Sequence, residues 1–332
     1  MSQEHPFAEY VRILGKGRKG AKSLTLEQAR TSMQMILAGE ALPMQIGAFL
    51  MLIRAREETA EETAGFVLAA KSTLDVPADR PQVDLDWASY AGKRRQLPWF
   101  LLSALLLARN GVRMFLHNIV AREDGRVYAQ HALKALGIAN CISLHAAADS
   151  LRDTGFASMA LDALSPALHE LIDLRNVLGL RSPINTVTRM LNPFDAPVTV
   201  HGIFHPGYCG IHQGAALLLG QPHMSVFKGE GGEAERNPDS PCLEKIVHAG
   251  VASEEEWPAR FGSRHLRDES MDVSRLAAFW RGDIADEYAE ATVVGTAAIA
   301  LRALGRASGM AEAETLAADL WRARPADWRP AR

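Results

Sequence analysis

Between Ser23 and Thr73 apolar residues return at helical spacing, with Leu26, Ala29, Met33, Ile36 and Leu37 on one stripe and Ile46, Phe49, Leu50 and Ile53 on another. The stripes predict three helices. Thr25 with Gln28 and Thr59 with Glu62 form capping-box pairs, Gly39 stops the first helix, and Pro43 suits the first turn of the second. The stretch 7–14 reads as a further helix ahead of them. Beyond a linker at 77–81 the pattern changes to short apolar runs at 83–86, 112–117, 142–144, 198–204 and 224–227. Between these runs lie helical stretches from Pro98, over 129–136 and over 211–219. Such alternation predicts an α/β fold with a mainly parallel sheet covered by helices. A helix opening at Ser165-Pro166 shows Leu168, Leu171, Ile172 and Leu178 on one face, which suits packing against the N-terminal helices. The tail over 291–323 is helical, with Gly305 and Gly309 between two segments. The expected organisation is a small all-helical domain at 1–76, completed by a helix near 166–179, and a larger α/β domain at 77–332.

Composition narrows the function classes. At 332 residues and 48% hydrophobic content the chain is long enough for two modest domains, and its net charge of −3 excludes a globally basic nucleic-acid coat. The charge is segregated, however, with cations near residue 20 and at 93–95 and an acidic segment at 230–256. Cys141, Cys209 and Cys242 are odd in number and form no CxxC pair, which fits a reduced compartment without structural zinc. The N-terminus lacks a signal pattern, and the longest apolar run, 97–108, falls short of the ~20 residues a bilayer demands. The expectation is a soluble, cytoplasmic protein.

The chemistry concentrates in 84–118. A strand, a loop and a helix N-terminus follow one another there, an order that gathers unpaired backbone N–H groups and the helix dipole into an anion site. Lys93, Arg94 and Arg95 stand just before that terminus, and Trp87, Tyr90 and Trp99 lie near enough in sequence to stack on bases. His117, Asn118, Arg122 and Arg126 follow the next strand and are expected to face the same cleft. Lys16, Arg18 and Lys19 belong to a glycine-rich basic stretch resembling a P-loop. An alanine separates Gly20 from Lys22 and a helix precedes the stretch, so a flexible basic arm is the expectation. His201, His205, Cys209 and His212 cross a strand, a turn and a helix start, which argues against a shared metal.

Several segments resemble the anthranilate phosphoribosyltransferases of glycosyl transferase family three: Gln45 to Met51, Leu178-Gly179-Leu180-Arg181, Leu191-Asn192-Pro193 and Trp280-Arg281-Gly282. The resemblance spans about 23–325 and implies a nucleoside phosphorylase/phosphoribosyltransferase-like α/β domain and a homodimer joined through the helical domains. Family members use a Gly-Thr-Gly-Gly-Asp loop; against it stands Ala88-Ser89-Tyr90-Ala91-Gly92. The Asn-x-Ser-Thr clamp falls on Pro98-Trp99-Phe100-Leu101, and Lys-His-Gly on Leu116-His117-Asn118. The acidic pair that holds Mg²⁺ falls on Ala234 and Glu235, and Arg175 matches an arginine near the aromatic acid. Tyr90, Gly92, His117, Asn118 and Arg175 thus mark a remnant substrate pocket, with no catalytic residue assigned. Together with the cations, this resembles the YbiB-like nucleic-acid-binding branch. It implies non-catalytic, largely sequence-independent DNA or RNA binding without a cofactor, through Lys93, Arg94 and Arg95 with support from Lys16, Arg18, Lys19, Arg122 and Arg126. The alternative is a transferase with an altered acceptor, using phosphoribosyl pyrophosphate and Mg²⁺ held at Glu235.

Overall fold

The computed structural model describes residues 4–17, 19–120 and 125–329. Four helices open the chain: α1 (Ala8–Gly15), α2 (Leu26–Leu37), α3 (Pro43–Arg56) and α4 (Ala60–Lys71). Both capping boxes form as the sequence requires, Thr25 with Gln28 and Thr59 with Glu62. Glu62 does more than cap. Its fully buried carboxylate also accepts from the Leu24 N–H at 2.8 Å and from Arg56 at 2.5 Å, so the acid that starts α4 pins the entry to α2. Gly65 lets these two helices touch, because a Cβ there would lie 2.3 Å from the Leu26 carbonyl oxygen. The basic stretch after α1 is not a free arm. Lys22 N–H donates to Ile13 O at 3.0 Å and Gly20 and Ala21 both return to Gly17 O, folding the segment back on α1.

The remainder is a seven-stranded sheet of order β3-β2-β1-β4-β5-β6-β7. Its strands are β1 (Leu85–Ser89), β2 (Met114–Asn118), β3 (Phe156–Ala160), β4 (Val198–Ile203), β5 (His223–Lys228), β6 (Cys242–His248) and β7 (Val251–Trp257). The first five pair in parallel; β6 and β7 are antiparallel. Every residue of β1 and β2 is buried, as expected where helices cover both faces of a parallel sheet. One core cluster joins the sheet to the N-terminal helices and to helix Pro166–Asp173; the other holds α5 (Phe100–Arg109) and the C-terminal helices Glu287–Ala303 and Met310–Arg322.

Two expectations need correction. The apolar run at 142–144 is no strand: Ser143 caps a helix over Leu144–Thr154, accepting from Ala146 N–H at 3.1 Å, and β3 follows it. Phe156-Ala157-Ser158-Met159-Ala160 has little β-propensity and is a strand because β2 pairs with it. The acidic stretch contains the unanticipated β6–β7 hairpin. Its turn residues Ala249 and Gly250 both have positive φ (49° and 74°), the geometry that matches the twist of two strands. Glu244, on β6, points inward, where it accepts from Ser225 and Trp257 at 2.6 Å each.

The strand order reverses between β1 and β4. In open α/β sheets that switch point leaves a crevice beyond the carboxyl ends of the two strands, since their connections run to opposite sides. Tyr90 to Lys93 leave β1 there and Phe204 leaves β4.

Candidate functional site

The loop after β1 is built around buried acids. Glu233 Oε1 accepts from Ala91 N–H at 2.7 Å and Gly92 N–H at 2.6 Å, so a carboxylate of the protein sits where the loop amides converge. Its own backbone is held by two glycine close approaches. A Cβ on Gly202 would come within 2.0 Å of the Glu233 carbonyl carbon, and one on Gly229 within 1.6 Å of its oxygen. Gly92 has φ 69° and abuts the Tyr128 ring.

Lys93 is a correction to the expected cationic face. Its side chain is fully buried, ion-paired to Glu235 and within 3.3 Å of Glu230 O. Glu235 is equally buried, and its other oxygen accepts from Phe100 N–H at 2.9 Å, at the first residue of α5. Burial pushes the Glu235 carboxyl up to about 7, against the opposing pull of Lys93 and the Phe100 amide. Neither oxygen is turned to an open site for Mg²⁺. Among the described residues no group of three or more His, Cys, Asp or Glu side chains is arranged to hold a metal.

Of the residues expected to mark a remnant pocket, Tyr90 and Arg175 line one cavity of about 330 Å³, together with Tyr128 and Arg181. His117 lies behind it, buried, with Nδ1 2.6 Å from Tyr90 Oη and Nε2 3.0 Å from Asp86. Burial and the charge of Asp86 hold the Tyr90 phenol well above its ordinary range. Asn118 is also internal, bonded to Asn140 and Ser158 at 3.1 Å each. Trp87 and Trp99 are core residues with no exposed ring to offer a base.

Arg94 and Arg95 behave differently from Lys93. Arg94 is exposed and Arg95 half-buried, and both line a groove of about 790 Å³ with Arg126, Lys228, Lys245 and Arg264. Three carboxylates, Glu230, Asp239 and Glu256, share the lining. Arg126 also donates to Ala91 O and Gly92 O at 2.8 and 3.1 Å, tying the groove wall to the loop. Phe204 contributes an aromatic ring that is 55% exposed. Lys16 and Lys19 are exposed on the helical unit and do not line the groove, while Arg18 and Arg122 lie outside the described residues. Lys228, Lys245, Arg264 and Phe204 escaped sequence reasoning. They come from β5, β6, the segment after β7 and the end of β4, and no local motif links them.

His201 and His212 meet with Nδ1 atoms 3.3 Å apart, although their sequence context argued against a shared face. Burial lowers both rings, His212 to about 3, so the pair is neutral near pH 7. His205 is exposed and Cys209 lies on the groove side.

Comparison with known proteins agrees with this architecture. Residues 9–73 match the helical bundle domain of the glycosyl transferase family. An uncharacterized protein of Aquifex aeolicus is 30% identical over 281 residues, covering 82% of this chain and 84% of that protein. The anthranilate phosphoribosyltransferase of Ralstonia pickettii is 27% identical over 249 residues, covering 73% and 71%. Among solved structures, the anthranilate phosphoribosyltransferase of Thermus thermophilus superposes with a TM-score of 0.78 at 21% identity, over 94% of each chain. The Saccharomyces cerevisiae enzyme in complex with PRPP and Mg gives 0.78 at 16% identity, covering 98% of this chain and 95% of that one. The chain belongs to the glycosyl transferase family and has the anthranilate phosphoribosyltransferase-like fold. No helix among the described residues is long and apolar enough to cross a membrane.

Proposed function

We propose that this protein binds nucleic acid without strong sequence preference, as a YbiB-like member of its family, through the groove that Arg94 and Arg95 enter. The observation that carries the reading is the contrast between that groove and the loop beside it. Six cationic residues line an open groove of about 790 Å³ against three carboxylates, while the amides that would hold a diphosphate already serve Glu233. Long guanidinium and ammonium groups can follow successive phosphates without a tight glycine loop, and each phosphate neutralised releases counterions. Phe204 offers a ring on which an unpaired base can stack.

The test is anisotropy of a labelled oligonucleotide titrated at several salt concentrations. Log affinity falls linearly with log salt, and the double variant Arg94→Glu/Arg95→Glu binds far more weakly. On a single strand, losing two phosphate contacts also flattens that slope by roughly 1.4. Affinity that ignores salt, or an unchanged double variant, refutes the reading.

A second reading, a Mg²⁺-dependent phosphoribosyl transferase with an altered acceptor, is favoured by the relatives' names and by the yeast structure holding PRPP and Mg. Against it stand the loop amides occupied by Glu233 and the closed Lys93–Glu235 pair: these residues do not fit a magnesium diphosphate. Calorimetry with phosphoribosyl pyrophosphate and Mg²⁺ separates the two. A saturating heat supports the enzyme.

A homodimer fits the exposed apolar patch on the helical unit, where Met44 (78% exposed) and Val177 (80%) stand with Leu42 and Leu180. Sedimentation of Val177→Glu should show a monomer where the native chain is a dimer. Two grooves in one particle would reach along a longer strand than one.

A further inference from the structure

The groove lies at the carboxyl ends of the parallel strands, and the opposite end of the sheet carries a different cluster. His223 opens β5 and His248 closes β6, and the two are direct partners across the antiparallel ladder. Residues paired in this way hold their side chains on one face of the sheet, close enough to touch. His248 is exposed and His223 half-buried.

Their Nδ1 atoms are 3.3 Å apart and their ring centroids 4.8 Å apart. A head-on hydrogen bond between the rings would hold them end to end, with the centroids further apart than this. The rings are instead turned off the line that joins their nitrogens. Ala249 N–H also approaches His223 Nδ1, at 3.5 Å, so that nitrogen presents a lone pair rather than a proton. Burial and the neighbouring His248 lower the His223 ring, which keeps it neutral near pH 7, the form that binds metals.

Two imidazole nitrogens on one tetrahedral ion, each about 2.0–2.1 Å from it, lie roughly 3.3–3.4 Å from one another. The pair already has that span. Its backbone is held on both sides, since the strands are paired and Gly250 N–H, in the turn after His248, donates to Pro222 O at 3.1 Å. Two guanidinium groups share a cavity with His248, but both are engaged elsewhere: Arg302 pairs with Glu255, and Arg306 donates to Asn110 O and Gly111 O. His201 and His212 show the same 3.3 Å spacing but are only 1% exposed each, which denies an ion the water it would need.

We infer that His223 and His248 form a two-histidine chelate for a late first-row divalent metal ion, of the zinc and copper class that imidazole suits, with water filling the positions the protein leaves open. The bound ion ties the β6–β7 hairpin to β5, at the end of the sheet away from the groove.

The test is calorimetry of the full chain titrated with zinc chloride in a buffer that does not bind zinc. One zinc binds per chain with a saturating heat. His248→Ala weakens zinc by at least about tenfold, the loss that follows even from removing a ligand's own hydrogen-bond partner. His223→Ala shows the same loss, so the result does not hang on how well one variant folds. His145→Ala removes an exposed histidine elsewhere and binds zinc as the native chain does. No saturable heat, native affinity in either variant of the pair, or an equal loss in His145→Ala overturns the proposal.

Discussion

Lys93 and Arg94 are adjacent in the chain, carry the same charge and follow the same strand, yet one is sealed inside the fold and the other lines an open groove. On the sealed side, Lys93 pairs with Glu235, Glu233 holds the loop amides of Ala91 and Gly92 through one oxygen, and Gly202 and Gly229 admit the main chain that brings the acids in. On the open side, Arg94, Arg95, Lys228 and Lys245 line the groove with Glu230, Asp239 and Glu256. A run of like charges therefore splits by side-chain direction. The inner cation stabilises the site's shape, and the outer ones set the charge of the groove.

Substitutions that break the sealed side should cost most. Lys93→Met leaves Glu235 buried without its counter-ion and is expected to lose about 3–5 kcal/mol of stability in urea unfolding. Lys93→Met/Glu235→Leu should recover most of that loss, since no buried charge remains; failure to recover would mean that Lys93 acts through packing instead. Glu233→Gln keeps an acceptor for Ala91 and Gly92 but removes its charge, at a cost of about 1–2 kcal/mol. The same unfolding measurement checks it.

pH sharpens the comparison further. The Glu235 carboxyl is raised from an ordinary 4.5 to about 7, so the folded protein holds this proton more tightly than the unfolded chain. Its contribution to stability is fully present below pH 4.5 and is lost as pH climbs through about 7. The stability of Glu235→Gln relative to the native chain should therefore increase across that window. A flat difference would show that Lys93 keeps the acid ionised throughout. The smallest effect belongs to the open side: Arg94→Gln/Arg95→Gln should change stability by no more than about 0.5 kcal/mol while weakening polyanion binding.

The helical unit was legible because its signals are local. A capping box spans three residues, and Thr25, Thr59 and Pro43 mark helix starts whatever surrounds them. The sheet was legible where apolar runs are strong, as in β2, β4 and β5, and illegible at β3, whose weak sequence is a strand only because a neighbour pairs with it. The β6–β7 hairpin was masked by Glu254, Glu255 and Glu256, acids that β7 carries at a sheet edge. For the site, sequence located the loop after β1 and its helix; of the residues grouped as one pocket, Tyr90 and Arg175 line a common cavity while His117 and Asn118 are internal. It did not reveal which of Lys93, Arg94 and Arg95 faces inward.

By itself, then, the sequence determined the helix caps and the alternation that makes a parallel sheet. Only the tertiary structure decided what each charge meets. Glu233 reaches Ala91 across 142 residues of chain, and Glu235 reaches Lys93 across the same separation. Such partners are chosen by the strand order that sets β1 beside β4, a long-range pairing that no local pattern encodes.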